Sequence, residues 1–544
     1  MRKFLERVVL IGSAVFVGCK TLSQSTSFET HSAISQADLR HRLSIIADDS
    51  MLGRSALNSG HDRAVRYIAA EVARMGLQPA GENGTYFQTF DIRERKLNPG
   101  SRIIVGDSVL RPVADFKAFP FGRGELRPVA QTQVIFGGIV GDTIGQISAQ
   151  QAANRLVLLG VPTDMTAERV YANVVYGPKS RFKDAAAVLI ASLDYLPLTQ
   201  RGITSSVGVA DSTEPPANTH PTSILVSRHA AQLLLGEGIE HAVVGALGRI
   251  VSGTLQVDEV LHPTRNVIAI LSGSDSVLRH QYVALGAHSD HLGITSSPLE
   301  HDSVRAYALE RVRRERSGQQ GTGPIIVNVD SLRRLSHPVT DSIYNGADDD
   351  GSGSAALLEI AEQFASARER PKRSLLFVWH AAEEMGLIGS GWFTDHPTVP
   401  LDSIAAQLNL DMVGRGDSTD LKGGGPDYLQ VIGANRRSTA LEKVVEEVNS
   451  NSPHPLALVE SDPNGLFCRS DQWSYARFGI PVAFFTTGLH ADYHQVTDET
   501  QYIDYIKLER VTRFIRDISS TLANSGARFE PSVRGPKFAA FCTS

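Results

Sequence analysis

Apolar side chains recur every three or four positions in two stretches near the start of the chain, residues 37–47 and 61–75. This spacing places them on one face of a helix, so each stretch is predicted to be an amphipathic helix. Gly76 follows the second stretch directly, as is typical of a residue that ends a helix. We assign residues 37–110 to the N-terminal part of the main domain.

The pattern changes between about residues 110 and 255 to short apolar runs that Gly, Pro and Asp interrupt. Three such runs, 133–140, 155–161 and 185–191, are typical of buried β-strands. No cluster of acidic residues, histidines or cysteines in this region suggests chemistry. We interpret residues 111–255 as a β-rich module inserted into a larger domain.

Strand-like and helix-like runs alternate after residue 256. The predicted strands are 266–271, 282–286, 374–379, 405–410, 429–432 and 481–486. The predicted helices are 354–367, 439–449 and 505–523. This alternation predicts an α/β domain over residues 256–525, with a mixed, largely parallel sheet flanked by helices.

Residues 299–340 interrupt the alternation with a run of charged residues, 309–316, and a Gly-rich stretch. Charged runs of this kind are usually solvated, so we interpret the segment as an exposed insertion. The alternative is a lid or a partner-binding element near the substrate pocket.

The first residues predict export. Arg2, Lys3 and Arg7 precede the apolar run 8–17, which a small residue, Gly18, closes. The sequence VFVGC resembles the bacterial lipoprotein cleavage box, which predicts a lipidated Cys19 attached to a membrane; a plain secretory signal is the alternative. Residues 1–19 are thus a predicted signal peptide and residues 20–36 a tether. The expected location is the periplasm, the outer membrane or the medium.

The composition and the net charge argue against some classes of protein. The chain has 544 residues, 42% of them hydrophobic, and a formal net charge of -6, which argues against a nucleic-acid partner. Cys468 and Cys542 follow the predicted signal, and an exported chain permits a disulfide between them. The sequence leaves that pairing open. Residues 526–544 form a predicted C-terminal tail.

Acidic residues and histidines follow several predicted strands or open a predicted helix. In an open α/β sheet such side chains meet beyond the carboxyl ends of the strands. A mixture of histidines and carboxylates suits zinc or a similar divalent metal. The residues concerned are His288, Asp290, Asp348, Asp349, Asp350, Glu383, Glu384, Asp411 and His494.

Other chemistries lack their motifs in this sequence. There is no His-Glu-x-x-His and no Gly-x-Ser-x-Gly elbow, and a calcium loop read through Asp348 and Asp350 would lack both of its essential acids. A metal-activated water is therefore the expected reagent. Successive side chains of an extended segment point to opposite faces, so the adjacent Glu383 and Glu384 are expected to have different roles.

Five blocks in this order, GAHSDH, NGADDDGSG, AAEEMGLIGS, NLDMVG and DYHQVTD, closely resemble the M28 family of co-catalytic zinc aminopeptidases. They span residues 286–498. The resemblance implies the zinc exopeptidase fold, two Zn²⁺ ions per chain and peptide substrates with a free N-terminus. The runs LVLLGV and AAAVLIAS resemble a protease-associated (PA) domain, which implies that the inserted module is of that type.

The resemblance also implies a role for each matching residue. His288 and Asp411 would bind one zinc ion, Glu384 and His494 the other, and Asp349 both. Glu383 would act as general base and acid, Asp290 would orient His288, and Tyr493 would polarise the scissile carbonyl. Five neighbours match no ligand position. We expect His291, His380 and His490 to pack or to support the ligands, and Asp348 and Asp350 to form the turn and the start of the helix.

We therefore expect an exported di-zinc aminopeptidase. The ligand set does not separate this activity from a carboxypeptidase or dipeptidase of the same fold. A single-zinc glutaminyl cyclase is a further alternative, although the Asp349 and Glu384 blocks have the peptidase form. A non-catalytic binding protein on a peptidase scaffold is also possible, but such proteins usually lose ligands or the base, and here every one is present.

Overall fold

A computed structural model describes residues 30–122, 124–163, 181–196, 205–211, 216–319 and 339–527, together with residues 165, 170, 201, 325 and 327. The predicted signal peptide with Cys19, most of the tether and the tail beyond residue 527 lie outside this part of the chain. Cys542 lies outside it as well, whereas Cys468 is described and is disulfide-bonded. Of the helices described, none is both long enough and apolar enough to cross a membrane.

The described residues form helices and strands that we number in chain order. The helices are α1 (Gln36–Ile46), α2 (Ser59–Arg74), α3 (Ala149–Ala152), α4 (Arg228–Leu235), α5 (His301–Arg316), α6 (Gly353–Ser366), α7 (Ile388–Asp395), α8 (Ala434–Arg437), α9 (Thr439–Ser450), α10 (Gln472–Ala476) and α11 (Tyr505–Asn524). The strands are β1 (Gln78–Pro79), β2 (Phe87–Leu97), β3 (Arg102–Val105), β4 (Ser108–Leu110), β5 (Phe116–Phe119), β6 (Val129–Ile139), β7 (Leu156–Gly160), β8 (Ala187–Ile190), β9 (Ser205–Val209), β10 (Thr222–Val226), β11 (Leu247–Thr254), β12 (Val257–Leu271), β13 (Tyr282–His288), β14 (Gly293–Glu300), β15 (Thr340–Tyr344), β16 (Ser374–His380), β17 (Ile404–Leu410), β18 (Tyr428–Ile432), β19 (Ala457–Val459) and β20 (Val482–Thr486).

The larger sheet has ten strands in the order β19-β18-β20-β17-β13-β16-β12-β2-β9, with β1 paired to β12. Its centre is parallel, because β13 pairs in parallel with β16 and β17, and β17 with β20. Antiparallel neighbours follow on both sides, β12 beside β16 and β18 beside β20. The mixed α/β fold predicted from the sequence is thus the fold observed.

The strand β16 shows why the central strands are continuously apolar. It is buried along its whole length, as expected of a parallel strand covered on both faces. Leu375, Phe377 and Trp379 belong to the core on one face of the sheet, and Leu376 and Val378 belong to the core on the other. This alternation is the two-residue period of a strand. Helices cover both faces and leave only the strand ends for polar residues.

A second sheet has eight strands in the order β4-β3-β11-β6-β7-β8-β10-β5. Its strands begin at Arg102, so β3 and β4 lie before residue 111, the predicted start of the inserted module. The two strands form a hairpin through Gly106, whose φ of 58° is readily accessible to glycine. The pattern of apolar residues alone does not predict such a short hairpin, so the predicted boundary lies after it. Within the predicted module, β9 pairs with β2 of the larger sheet. The likeness to a PA domain stays a prediction.

The predicted insertion at 299–340 contains α5, which the hairpin of β14 and β15 flanks. The helix is not solvated on all sides, because Ala308 and Val312 are buried against Ala491. The charged residues of the run 309–316 occupy the remaining faces. Within the predicted exposed insertion, one face of this helix is therefore buried. Its small apolar residues alternate with arginines in the sequence, so the charge run does not reveal that face.

Candidate metal centre

Each predicted ligand lies where a central element ends or begins. His288 is the last residue of β13, Glu384 follows β16, and Asp411 follows β17 directly. His494 lies in the loop after β20, and Asp349 lies in the helical turn Ala347–Ser352 that leads into α6. Because the four strands are parallel, these five side chains meet at one edge of the sheet.

The distances place Asp349 between two pairs of side chains. His288 Nε2 lies 3.2 Å from Asp349 Oδ1 and 3.6 Å from Asp411 Oδ1. His494 Nε2 lies 3.0 Å from Glu384 Oε2 and 3.2 Å from Asp349 Oδ2. The structure thus brings all five predicted ligands together in the predicted arrangement of two groups with one shared carboxylate.

One atom of each of these five residues is buried and forms no hydrogen bond within the described part of the chain. Burial without a partner is costly for a polar atom, and several such atoms at one point require an explanation. A divalent cation supplies it, since imidazole nitrogens and carboxylate oxygens are ligands of zinc. The atoms are His288 Nε2, Asp349 Oδ2, Glu384 Oε1, Asp411 Oδ1 and His494 Nε2.

His291 joins the second group, where the sequence predicted a residue that packs or supports the ligands. Its Nδ1 lies 2.7 Å from Glu384 Oε1 and 3.9 Å from Asp349 Oδ2. The side chain is fully buried, and neither ring nitrogen forms a hydrogen bond with a described residue. A further donor is therefore within reach of the predicted ligands. The signal in the sequence is its place in GAHSDH, three residues after His288 in the turn that leaves β13.

Glu383 and Glu384 differ in their electrostatic surroundings. Burial, with the neighbouring charges of Asp411 and Glu384, raises the pKa of Glu383 well above its ordinary value. Burial and Asp349 also act to raise the pKa of Glu384, but the close imidazoles of His291 and His494 outweigh them and lower it. The two adjacent carboxylates are therefore not equivalent.

Asp290 lies between His288 and Glu383. Its carboxylate Oδ1 accepts a hydrogen bond of 3.0 Å from the backbone N–H of Glu383. Its backbone carbonyl oxygen lies 3.1 Å from His288 Nδ1, whereas its carboxylate oxygen is 3.7 Å from that nitrogen. The closer contact with His288 is thus made by the main chain, and the carboxylate holds the segment that carries Glu383.

Tyr493 stacks on His494, with ring centroids 3.8 Å apart. Burial, reinforced by Asp349 and Glu384, raises the pKa of its phenol, so the hydroxyl keeps its proton at neutral pH. The phenol oxygen lies 3.5 Å from a guanidinium nitrogen of Arg469. The predicted carbonyl-polarising group is therefore a protonated hydrogen-bond donor at the site.

Two carboxylates fix the backbone beneath the ligands. Asp350 accepts hydrogen bonds from the backbone N–H groups of His288, Gly353 and Met412. Asp498 accepts hydrogen bonds from the backbone N–H groups of Asp348 and Asp349. Asp350 therefore ties together β13, the start of α6 and the residues after β17, a larger role than the turn predicted for it.

Arg54 lies under the site, and the sequence did not single it out as a functional residue. Its guanidinium is fully buried and donates hydrogen bonds only to backbone carbonyls among the described residues. Burial lowers its pKa, while the nearby charges of Asp349, Asp350 and Asp290 act to raise it. Arg54 therefore supplies positive charge beneath an acidic cluster. The carbonyls belong to Ile46, Ser289, Asn345, Gly346 and Asp349.

Two cavities meet at the predicted ligands. The smaller, of about 30 Å³, has an apolar side formed by Met412, Leu466, Phe484 and Leu489. The larger, of about 560 Å³, is open and extends past Leu387 and Trp473. Glu383, Glu384, Arg469, Tyr493 and His494 line both. The ligand cluster therefore lies where the two cavities share their lining.

Comparison with known proteins finds one matching family model and several similar proteins. The sequence model of peptidase family M28 matches residues 266–519. The leupeptin-inactivating enzyme 1 of Streptomyces exfoliatus is 32% identical over 167 residues, which cover 30% of this chain and 33% of that protein. Leucine aminopeptidase 1 of Paracoccidioides brasiliensis (strain Pb18) is 31% identical over 169 residues, which cover 29% of this chain and 42% of that protein. The chain thus spans less than half the length of these curated relatives.

Solved structures of two enzymes share the fold over most of the chain. The aminopeptidase of Aneurinibacillus sp. strain AM-1 has a TM-score of 0.51 at 16% identity, covering 92% of this chain and 96% of that one. The zinc aminopeptidase of Bacillus subtilis has a TM-score of 0.50 at 15% identity, covering 92% of this chain and 99% of that one. At such low identity the likeness establishes the fold. Residues 266–519 therefore resemble peptidase family M28, whose sequence model they match.

Proposed function

We propose that this chain is a di-zinc exopeptidase, and that it removes the N-terminal residue from peptides. The observation that carries the proposal is the group of five buried donor atoms without hydrogen bonds, which converge beside the carboxylate of Glu383. The match of residues 266–519 to the M28 family model supports the same activity, as do the names of the similar proteins, leucine aminopeptidase and zinc aminopeptidase.

The five predicted ligands would form two metal-binding groups that share one carboxylate. His288 and Asp411 would hold one zinc ion, Glu384 and His494 the other, and Asp349 would serve both. His291, within 2.7 Å of Glu384, would orient that carboxylate or share its ion. Bound zinc supplies Lewis acidity towards water and towards the peptide carbonyl.

Glu383 would move the proton in this reaction. Its side chain is buried, and Asp290 holds its backbone N–H, so its carboxylate has a fixed place beside the cluster. A carboxylate there accepts a proton from the attacking water and delivers it to the departing amine. The Tyr493 hydroxyl would donate a hydrogen bond to the scissile carbonyl oxygen, where negative charge develops.

The test of the proposal is metal analysis of the purified chain together with hydrolysis of leucine p-nitroanilide. We expect two zinc ions per chain and release of the chromophore near neutral pH. A chain without metal that also fails to hydrolyse the substrate across neutral pH would overturn the proposal. Hydrolysis with one ion per chain would overturn the two-metal part alone.

Cleavage of dipeptides, or from the C-terminus, is the second candidate, and Arg469 favours it. This exposed guanidinium lines both cavities and contacts the Asn464 carbonyl and the Tyr493 hydroxyl, each at 3.5 Å. None of the described carboxylates forms an ion pair with it. A substrate carboxylate would find a charged partner there. The disulfide at Cys468 restrains the adjacent backbone.

Peptides with free and blocked termini, analysed by mass spectrometry, separate the two candidates. If Arg469 binds a terminal carboxylate, Arg469→Gln should raise KM about tenfold for Leu-Leu and leave KM for Leu-Leu-amide unchanged, because a charged hydrogen bond is worth about 1.5–3 kcal/mol. Arg477→Gln is the matched control, since Arg477 lines the same cavity but pairs with Asp395 at 2.8 Å. An equal effect on both substrates would contradict carboxylate binding.

We also propose that the chain is exported and anchored through a lipid on Cys19, on the basis of its N-terminal sequence. Cys19→Ser should move the protein from the membrane fraction to the soluble fraction. Membrane association that the substitution leaves unchanged would count against lipidation, and an uncleaved N-terminus in mass spectrometry would count against export.

A further inference from the structure

The helix α5 lies against the loop that carries His494. We call residues 490–502 the ligand loop. On its apolar side, Ala308 and Val312 of α5 are buried with Ala491 of the ligand loop, and Leu309 packs against the same cluster. The helix therefore has one face of small apolar residues, and that face covers the loop and not the sheet.

Polar contacts run along the same interface. Arg305 forms an ion pair with Asp492, and its guanidinium lies 3.5 Å from the centroid of the Tyr502 ring. At the start of the helix, His301 stacks on Tyr502, and its Nε2 lies 3.5 Å from Glu499 Oε2. The helix thus holds the ligand loop at both ends, and Arg305 contacts both halves of it.

Asp492 is the residue through which this contact reaches the metal centre. It is fully buried and directly precedes Tyr493 and His494. Its carboxylate also accepts hydrogen bonds from Arg415 Nη2 at 2.8 Å and Thr497 Oγ1 at 2.7 Å. His494 itself has a φ of 58°, a conformation that residues other than glycine rarely adopt, so the surrounding contacts must hold the loop in it.

The helix does not act as a lid over the substrate. Of the described residues that line the two cavities, none belongs to α5. The loop residues that the helix contacts, Ala491, Asp492, Glu499 and Tyr502, are not among the residues that line either cavity. Its influence on the site must therefore pass through the position of the loop.

We propose that Arg305 is a positioning residue that fixes the ligand loop through Asp492 and thereby sets the affinity of the metal group formed by Glu384 and His494. The inference rests on the proposed function, because it assumes a metal ion at that group. The group of His288 and Asp411 receives no contact from α5 and should not respond.

The test compares Arg305→Gln with Arg305→Lys and with the control Arg311→Gln, which changes an exposed arginine of the same helix. Zinc is removed from the full-length chain with a chelator and titrated back against a chromophoric competitor. Loss of a group that orients a metal ligand typically weakens binding 10–100-fold, so about tenfold is expected for Arg305→Gln at one of the two zinc affinities. The other affinity should stay unchanged, Arg305→Lys should recover part of the loss, and Arg311→Gln should match the wild type.

Hydrogen exchange of the same zinc-free proteins provides a second readout that does not need the metal. Residues 490–502 should exchange faster in Arg305→Gln, with the central strands unaffected. Unchanged zinc affinities with unchanged exchange would overturn the inference alone. An equal fall in both affinities would also overturn it, because that pattern indicates general destabilisation. A wild-type chain that binds no zinc would overturn the proposed function and this inference together.

Discussion

Glu383 and Glu384 are neighbours in sequence that face different partners. Glu384 contacts His291 and His494 within 3.0 Å, whereas Glu383 forms no ion pair with a histidine among the described residues and is held at its backbone by Asp290. A carboxylate that binds metal is not free to take a proton, and one that moves protons must stay off the metal. The two residues satisfy both requirements in adjacent positions.

Replacement of each glutamate by glutamine should separate these roles. Glu383→Gln should keep two zinc ions per chain and lower kcat about 10²- to 10⁴-fold, because it removes the proton acceptor. Glu384→Gln should lose zinc as well as activity. Zinc content from mass spectrometry and kcat with leucine p-nitroanilide check both, with the exposed Glu447→Gln as control. A Glu383→Gln enzyme with undiminished kcat would falsify the assignment.

At the scale of elements, Asp350 connects three parts of the chain that carry ligands. Its carboxylate accepts hydrogen bonds from backbone N–H groups at the end of β13, at the start of α6 and in the segment after β17. No water is needed to satisfy these donors, and the carboxylate is fully buried. The relative position of His288, Asp349 and Asp411 therefore depends on one side chain that is itself no predicted ligand.

Asp350→Asn should show this dependence. The amide group replaces one accepting oxygen by a donor, which leaves at least one buried N–H without a partner and costs about 1–3 kcal/mol. Urea unfolding of the zinc-free protein measures the change in the free energy of unfolding, with the exposed Asp402→Asn as control. A variant as stable as the control would show that the three elements are held by their packing alone.

The sequence predicted the central strands well, because there a continuous apolar run coincides with complete burial. The strands at 374–379 and 405–410 are observed within a residue of their predicted ends, because a continuously buried strand must be apolar throughout. The convergence of the ligands followed from their places at strand ends. The pairing of β9 with β2, and the packing of α5 on the ligand loop, depend on residues far apart in the chain, which no local pattern encodes.

The same limit applies to single residues. Arg54 and His291 lie at the centre of the site, yet neither stands out in a list of acids at strand ends. Arg54 is 235 positions before Ser289, whose carbonyl it contacts. Its role depends on a buried environment that only the assembled sheet creates. His291 was visible as a neighbour of His288, but a histidine after a strand more often packs than binds.

At the scale of the whole molecule, a metal bound at this centre would also stabilise the fold. The ligands come from four strands and a helix start, so zinc would connect elements across the larger sheet. A ligand that binds only the folded chain stabilises it by about 4 kcal/mol per site at a concentration of 1,000 Kd. Removal of zinc with a chelator should therefore lower Tm by several degrees, and added zinc should restore it. Calorimetry with and without the chelator provides the check, and an unchanged Tm would contradict a bound metal.

The long pairing of β2 with β12 has a consequence for how this chain is assembled. Leu97 at the end of β2 lies opposite Val257 at the start of β12, and Asn98 donates a backbone hydrogen bond to Gln256 at 2.9 Å. Apart from β9, the described strands between these neighbouring points form the second sheet, as in a hairpin whose loop contains a sheet of its own. Because the cost of closing a loop rises only slowly with its length, material can be added or exchanged at this junction with little strain on the strands that carry the metal ligands.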